Sequence, residues 1–177
     1  LDPPDKPGVA NLVATLMTQG TTTRTAPQIS EAIEFLGGSL SVDAGQETIT
    51  ISLSVLSKDL DTGLDLMADV LLNPVFAPDE IQRKIQEVVA GIKRSQDDPG
   101  TVSWQAFMAL VYGAHPFGRP IEGTEASVPT ITRDDLVRFY QEHLRPNKAI
   151  LAVVGDVRPA ELKSRLQARL GSWQPGG

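Results

Sequence analysis

The chain has 177 residues, 41% of them hydrophobic, which is enough for one core, and its twenty-two acidic and sixteen basic residues leave a formal charge of −6. That balance argues against nucleic-acid binding, since no basic face is available to neutralise a run of phosphates. No cysteine is present, which removes disulfides and thiolate zinc sites, and the longest apolar runs, such as Ala149 to Gly155, are too short to span a bilayer.

After the turn-like opening "DPPDKPG", Val9, Leu12, Val13, Leu16 and Met17 recur at helical spacing and Gly20 stops the run. A second helix is expected from about Ala26 through Ile29, Ile33 and Leu36 to a Gly37-Gly38 stop. The period then changes. Ser39 to Ala44 reads as a short strand, and Ile49, Ile51, Leu53 and Val55 alternate with Thr48, Thr50, Ser52 and Ser54 as a half-buried one. Gly45-Gln46 lies between them, so an antiparallel hairpin is expected.

Leu60, Leu64, Met67, Val70 and Leu71 mark a third helix, broken at "NPVF". A fourth starts near Asp79 with Ile81, Ile85, Val88, Val89 and Ile92 as its buried stripe, and fades at "SQDDPG". A further helix covers roughly Val102 to Val111, and on it Trp104 is expected in the core beside Phe107, Leu110 and Val111. Thr132 with Asp135 forms an approximate capping box for the next helix. "AILAVVGDV" reads as a central strand, and Leu162, Leu166 and Leu170 mark a last helix. Helices around an antiparallel hairpin, without regular β-α alternation, indicate α+β.

Several long phrases carry a resemblance. "FAPDEIQRKIQEVVAGIKRSQDDP", "HPFGRPIEGTEASVPTITRDDLVRFYQEHLRPNKAILAVVGDV" and the opening helix resemble the N-terminal-type half-domain of the insulinase family, which includes pitrilysin and the mitochondrial processing peptidases. The resemblance runs from Gly8 to about Trp173 and implies a single half-domain over residues 1–177, an antiparallel sheet with helices mainly on one face. It implies one or two leading strands ahead of Leu1, so the chain reads as a truncated or processed piece.

Active members of the family place H-x-x-E-H on the opening helix, two zinc ligands and the base that activates the metal-bound water, and take a further Glu from a later helix. Laid over this chain, the motif falls on Asn11, Leu12, Val13, Ala14 and Thr15, and the later acidic phrase on Ala90 and Gly91. Asn11, Ala14, Thr15 and Gly91 are thus degenerate positions: neutral amide and hydroxyl oxygens are poor zinc ligands, and a methyl accepts no proton. No catalytic or metal-binding residue is expected, and zinc is expected only in a catalytic partner.

The only histidines, His115 and His143, are 28 residues apart, which fits no usual ligand spacing. His115 is expected to shape the turn before Pro116, and His143 to end a helix. In the family the strand after the Gly-Gly stop borders the active site and extended substrates add to its edge, so the resemblance assigns peptide contact to Ser39, Leu40, Ser41, Val42, Asp43 and Ala44. The reading is a zinc-free half-domain or subunit that completes a chamber and contacts peptide for a zinc-carrying partner of the same family. The alternatives are an active zinc metalloendopeptidase with an unconventional metal site or one outside this sequence, and a purely structural subunit. A soluble chain is expected, periplasmic or cytoplasmic if bacterial.

Overall fold

A computed structural model describes residues 2–176. The elements, in order, are α1 (Val9–Met17), α2 (Ala26–Phe35), β1 (Ser39–Ala44), β2 (Ile49–Ser54), α3 (Leu60–Leu72), α4 (Pro78–Ser95), α5 (Pro99–Tyr112), α6 (Arg133–His143) and α7 (Pro159–Leu170). The expected α+β class and hairpin are both present: β1 and β2 form a two-stranded sheet, closed where the Gly45 amide donates to the Thr48 carbonyl at 2.7 Å. The chain divides into two compact units, one holding the chain up to Leu16 with Asp43–Thr50 and Phe76–Phe139, the other Met17–Val42, Ile51–Val75 and the chain from Tyr140 on.

In the first unit α1 begins where it does because the Asp2 carboxylate accepts from the Gly8 and Ala10 amides at 2.6 and 2.9 Å, satisfying donors that the first turn leaves open. Val9, Leu12, Val13 and Leu16 of α1 are buried, each worth roughly 1.5–3 kcal/mol of apolar transfer. The backbone just before α1 runs against the loop ahead of α6. A side chain added at Gly8 would meet the Glu122 carbonyl at 2.6 Å, and one at Gly123 the Pro7 carbonyl at 2.5 Å. Both residues have positive φ, so only glycine permits the approach. Lys6 extends this seam to the Thr130 carbonyl at 2.7 Å and the Asp135 carboxylate at 3.0 Å.

The capping box at α6 forms as expected: the Thr132 amide donates to Asp135 at 3.0 Å, and the Asp135 amide to the Thr132 hydroxyl at 3.3 Å. On α4 Ile81 and Ile85 are buried, while Val88, Val89 and Ile92 are only half-buried. Asp98 caps α5 by accepting from the Thr101 amide at 2.8 Å, so the stretch where α4 fades also starts the next helix. His115 shapes its turn: Nδ1 accepts from the Phe117 amide at 3.2 Å.

The core position expected for Trp104 is overturned. No residue of α5 is buried; Trp104 is 60% and Leu110 84% exposed, and the Trp104 and Phe107 rings stack on each other with centroids 5.7 Å apart. The sequence is apolar all round the helix, a pattern that normally belongs to an enclosed element. Here its aromatic groups meet mainly one another and the turn that follows, where the Tyr112 and Phe117 rings lie edge to face.

In the second unit α2 has the full capping box of Thr25 and Gln28, and it ends in a Schellman turn. Gly38 donates to the Ile33 carbonyl at 3.1 Å and Gly37, at φ +60°, to the Glu34 carbonyl at 2.9 Å. Asp69 of α3 is buried and accepts from the hydroxyls of Thr21 and Thr23 and from Arg24, each at 2.7 Å, and from the Asn73 amide at 2.9 Å. Burial pushes its carboxyl up, but those four donors prevail and hold it below the ordinary value. Along α7, Arg165 and Arg169 pair with Asp61 and Asp65 of α3.

The second correction concerns "AILAVVGDV", expected as a central strand. Residues 151–154 adopt no regular structure, and Ile150 and Val154 are 98% and 99% exposed. A strand exists only through a neighbour that takes its backbone hydrogen bonds, and no strand among the described residues lies beside this one.

Candidate functional site

α1 is closed on all sides but one. Asn11 and Thr15, spaced at i and i+4, form its partly exposed stripe, while Ala14 is 0% exposed. The Thr15 hydroxyl is turned back on its own helix, donating to the carbonyls of Asn11 at 3.0 Å and Leu12 at 3.2 Å. Gly91 lies on α4 with nothing around its Cβ position nearer than an Arg94 nitrogen at 3.9 Å. Asn11 and Thr15 therefore share one face in the spacing that a two-ligand helix would use, but Ala14 does not share that opening.

A zinc ion does not fit these side chains. Thr15 offers only a neutral hydroxyl turned back on its own helix, Asn11 one neutral amide, Ala14 no acceptor and Gly91 no side chain at all. Among the described residues no three His, Cys, Asp or Glu side chains are grouped to hold a metal ion. The stripe can take part in packing or in neutral hydrogen bonding, and it contains no group able to carry a proton.

The six residues expected to contact peptide are all in β1, with Val42 turned inward and Ser39, Ser41 and Asp43 exposed. Carrying the Gly45–Thr48 pairing back along the antiparallel strands directs the backbone groups of Ser39, Ser41 and Asp43 toward β2 and those of Leu40, Val42 and Ala44 toward the outer edge. Gly38 fixes how β1 enters: a side chain there would overlap the Ser54 carbonyl and the Val55 side chain at 2.6 and 2.8 Å.

The strongest polar constellation was not anticipated. Thr21, Thr23, Arg24, Asp69 and Asn73 converge within the second unit on one buried carboxylate, and a partner 48 residues away gives no periodic signal in sequence. The "TTTRT" run was its only local trace.

Among the described residues no helix is long and apolar enough to cross a membrane. Two family descriptions match: insulinase (peptidase family M16) over residues 1–125, and the peptidase M16 inactive domain over residues 130–177. Among curated proteins, one of Mycobacterium leprae named "uncharacterized zinc protease" is 34% identical over 93% of this chain and 37% of its own length. One of the same description from Rickettsia felis is 30% identical over 97% of this chain and 42% of its own. The chain thus spans about two fifths of these relatives. Among solved structures, a peptidase M16 inactive domain from Pseudomonas fluorescens superposes with a TM-score of 0.89 at 25% identity, over 96% of this chain and 42% of that one. A protease from Helicobacter pylori, at 21% identity and TM-score 0.90 over 98% of this chain and 42% of its own, shares the fold. Matched over most of its length by the first description, this chain belongs to the insulinase family, peptidase family M16.

Proposed function

We propose that this chain is a non-catalytic insulinase-family half-domain that completes the wall of a peptidase chamber and contacts peptide, while a zinc-carrying half-domain or subunit of the same family performs the cleavage. The observation that carries this reading is the α1 stripe. The positions that the resemblance assigns to two ligands and a base hold Asn11, Thr15 and a sealed Ala14, and Gly91 stands where the further acidic ligand belongs. Likeness to a solved domain described as a peptidase M16 inactive domain supports the same reading. The exposed apolar surface of α5 and the unpaired segment Ile150–Val154 support association with a partner, since each leaves side chains in water that a neighbour would cover.

Peptide contact is assigned to β1. An extended peptide would add along its outer edge through main-chain hydrogen bonds, which ask little of the peptide's sequence. Proline at Val42 would remove an outer-edge donor, but Val42 is also a buried side chain, so hydrogen exchange is the cleaner probe. In the chain assembled with its partner, the amides of Leu40, Val42 and Ala44 are expected to slow on adding peptide. Unchanged exchange at saturating peptide would remove the substrate-wall role and leave a purely structural subunit.

The catalytic half of the proposal is tested by metal analysis and peptide cleavage with the purified chain. No stoichiometric zinc and no cleavage are expected. One tightly held zinc per chain, lost on replacing Asn11 and Thr15, would overturn it. The naming of the curated relatives as zinc proteases favours the rival reading, an active enzyme whose ligands lie elsewhere in a longer polypeptide.

A further inference from the structure

The second unit contains a cleft of about 750 Å³, walled on one side by the Arg24 loop and α3 and on the other by the ends of α6 and α7. It shares no residue with α1 or β1. Arg24, Asp69, Tyr140, Arg145 and Trp173 define it. Most polar groups there are already committed. The Tyr140 hydroxyl donates to the Leu71 carbonyl at 2.7 Å, and burial raises the phenol so that it keeps its proton. The Trp173 indole donates to the Leu144 carbonyl at 3.1 Å, Arg24 is held by Asp69, and Arg169 by Asp61 and Asp65.

Arg145 differs from these. Its stem is half-buried and packed against Gly176, which Asn147 fixes through a pair of 3.1 Å hydrogen bonds. Among the described residues its guanidinium has no carboxylate partner. The cleft-lining groups sum to one excess positive charge, three arginines (Arg24, Arg145, Arg169) against Asp65 and Asp69, in a chain of formal charge −6.

We infer that this cleft is a binding site for a monoanionic carboxylate attached to an apolar or aromatic body. The carboxylate lies on the fork of Arg145, and the body lies against the fixed indole of Trp173. A guanidinium offers two parallel N–H donors that match a carboxylate, and a stem held by packing loses little freedom on forming them. One excess positive charge suits a singly charged group better than a phosphate dianion. The aromatic wall gives an organic body a surface that a free inorganic ion would leave unused.

Trp173 is itself the reporter. The chain has two tryptophans, and Trp104→Phe leaves only the one in the cleft. In the full chain carrying that substitution, N-acetyl-phenylalanine is expected to change Trp173 emission saturably. Its amide, which lacks the charge, should bind at least about tenfold more weakly. Arg145→Gln should weaken the acid by at least about tenfold and leave the amide unchanged. Arg145→Lys, which keeps the charge but not the fork, should have a smaller effect and stands in if the glutamine variant does not fold. Equal binding of acid and amide, or indifference to both Arg145 variants, overturns the inference. Tighter binding of inorganic phosphate than of the acid overturns it in favour of a simple anion site.

Discussion

Acid should weaken the first unit through one carboxylate. Asp135 is buried, accepts from the Thr132 amide and hydroxyl at 3.0 and 2.8 Å, and pairs with Lys6 at 3.0 Å and Arg138 at 2.5 Å. Burial alone would raise its carboxyl. The hydrogen bonds from Thr132 and Lys6, with the charge of Lys6, outweigh that and bring it from 3.8 to about 2. A depressed carboxyl stabilises the folded state fully above its unfolded value and loses that contribution as pH falls through the folded one. The window is therefore about pH 4 down to about pH 2, and the amount is about 2 kcal/mol. Urea unfolding of the parent chain and of Asp135→Asn at pH 7, 4, 3 and 2 measures it, because other titrating groups cancel in the difference. The gap between the two proteins should be constant from pH 7 to about 4, then narrow as pH approaches 2. A gap independent of pH would show that Asp135 acts through shape and not through its charge, and the reasoning would fail.

Three further outcomes are expected. The combined substitutions Asn11→His, Thr15→His and Gly91→Glu fall on half-open positions and should create a site for one zinc per chain, detectable by metal analysis; no zinc uptake by a folded variant would show that α1 and α4 do not hold the family's metal frame. Leu110→Lys with Val154→Lys, both at nearly bare positions, should lower self-association in sedimentation without shifting the unfolding midpoint, and unchanged sedimentation of a self-associating parent would count against those surfaces as contacts. Gly123→Ala should cost about 2 kcal/mol or more in urea unfolding, because a methyl there meets the Pro7 carbonyl in a backbone conformation that alanine avoids; a loss under about 0.5 kcal/mol would contradict the close approach.

What was legible in the sequence was local. The Gly37-Gly38 stop, the hairpin with β1 at Ser39–Ala44 and the Thr132–Asp135 cap depend on residues a few positions apart, and each formed. "AILAVVGDV" failed as a strand because a strand is a property of two segments, and hydropathy reports only one of them. Trp104 failed as core for the same reason: apolar character shows that a side chain prefers cover, not which element supplies it. At the candidate site, the absence of histidine before residue 115 could be read directly, while the match of Asn11, Ala14 and Thr15 to the family's motif rests on the resemblance. The Asp69 cluster and the Arg145 cleft could not, because both are assembled from segments distant in sequence.

The seam where Pro7 and Gly8 meet Glu122 and Gly123, with Lys6 reaching Thr130 and the Ser127 hydroxyl donating to the Pro7 carbonyl at 2.9 Å, also bears on the order of events during synthesis. Each of these contacts closes a loop of more than a hundred residues, and the chain leaves the ribosome from its N-terminal end at roughly 5–20 residues per second. The stretch that positions α1 is thus made before the loop ahead of α6, and its backbone cannot be seated until that loop has followed. Until then an apolar nine-residue helix lacks the seam that fixes its start, and helices that short are marginal by themselves. α1 is expected to settle only after the loop before α6, more than a hundred residues later, has been made.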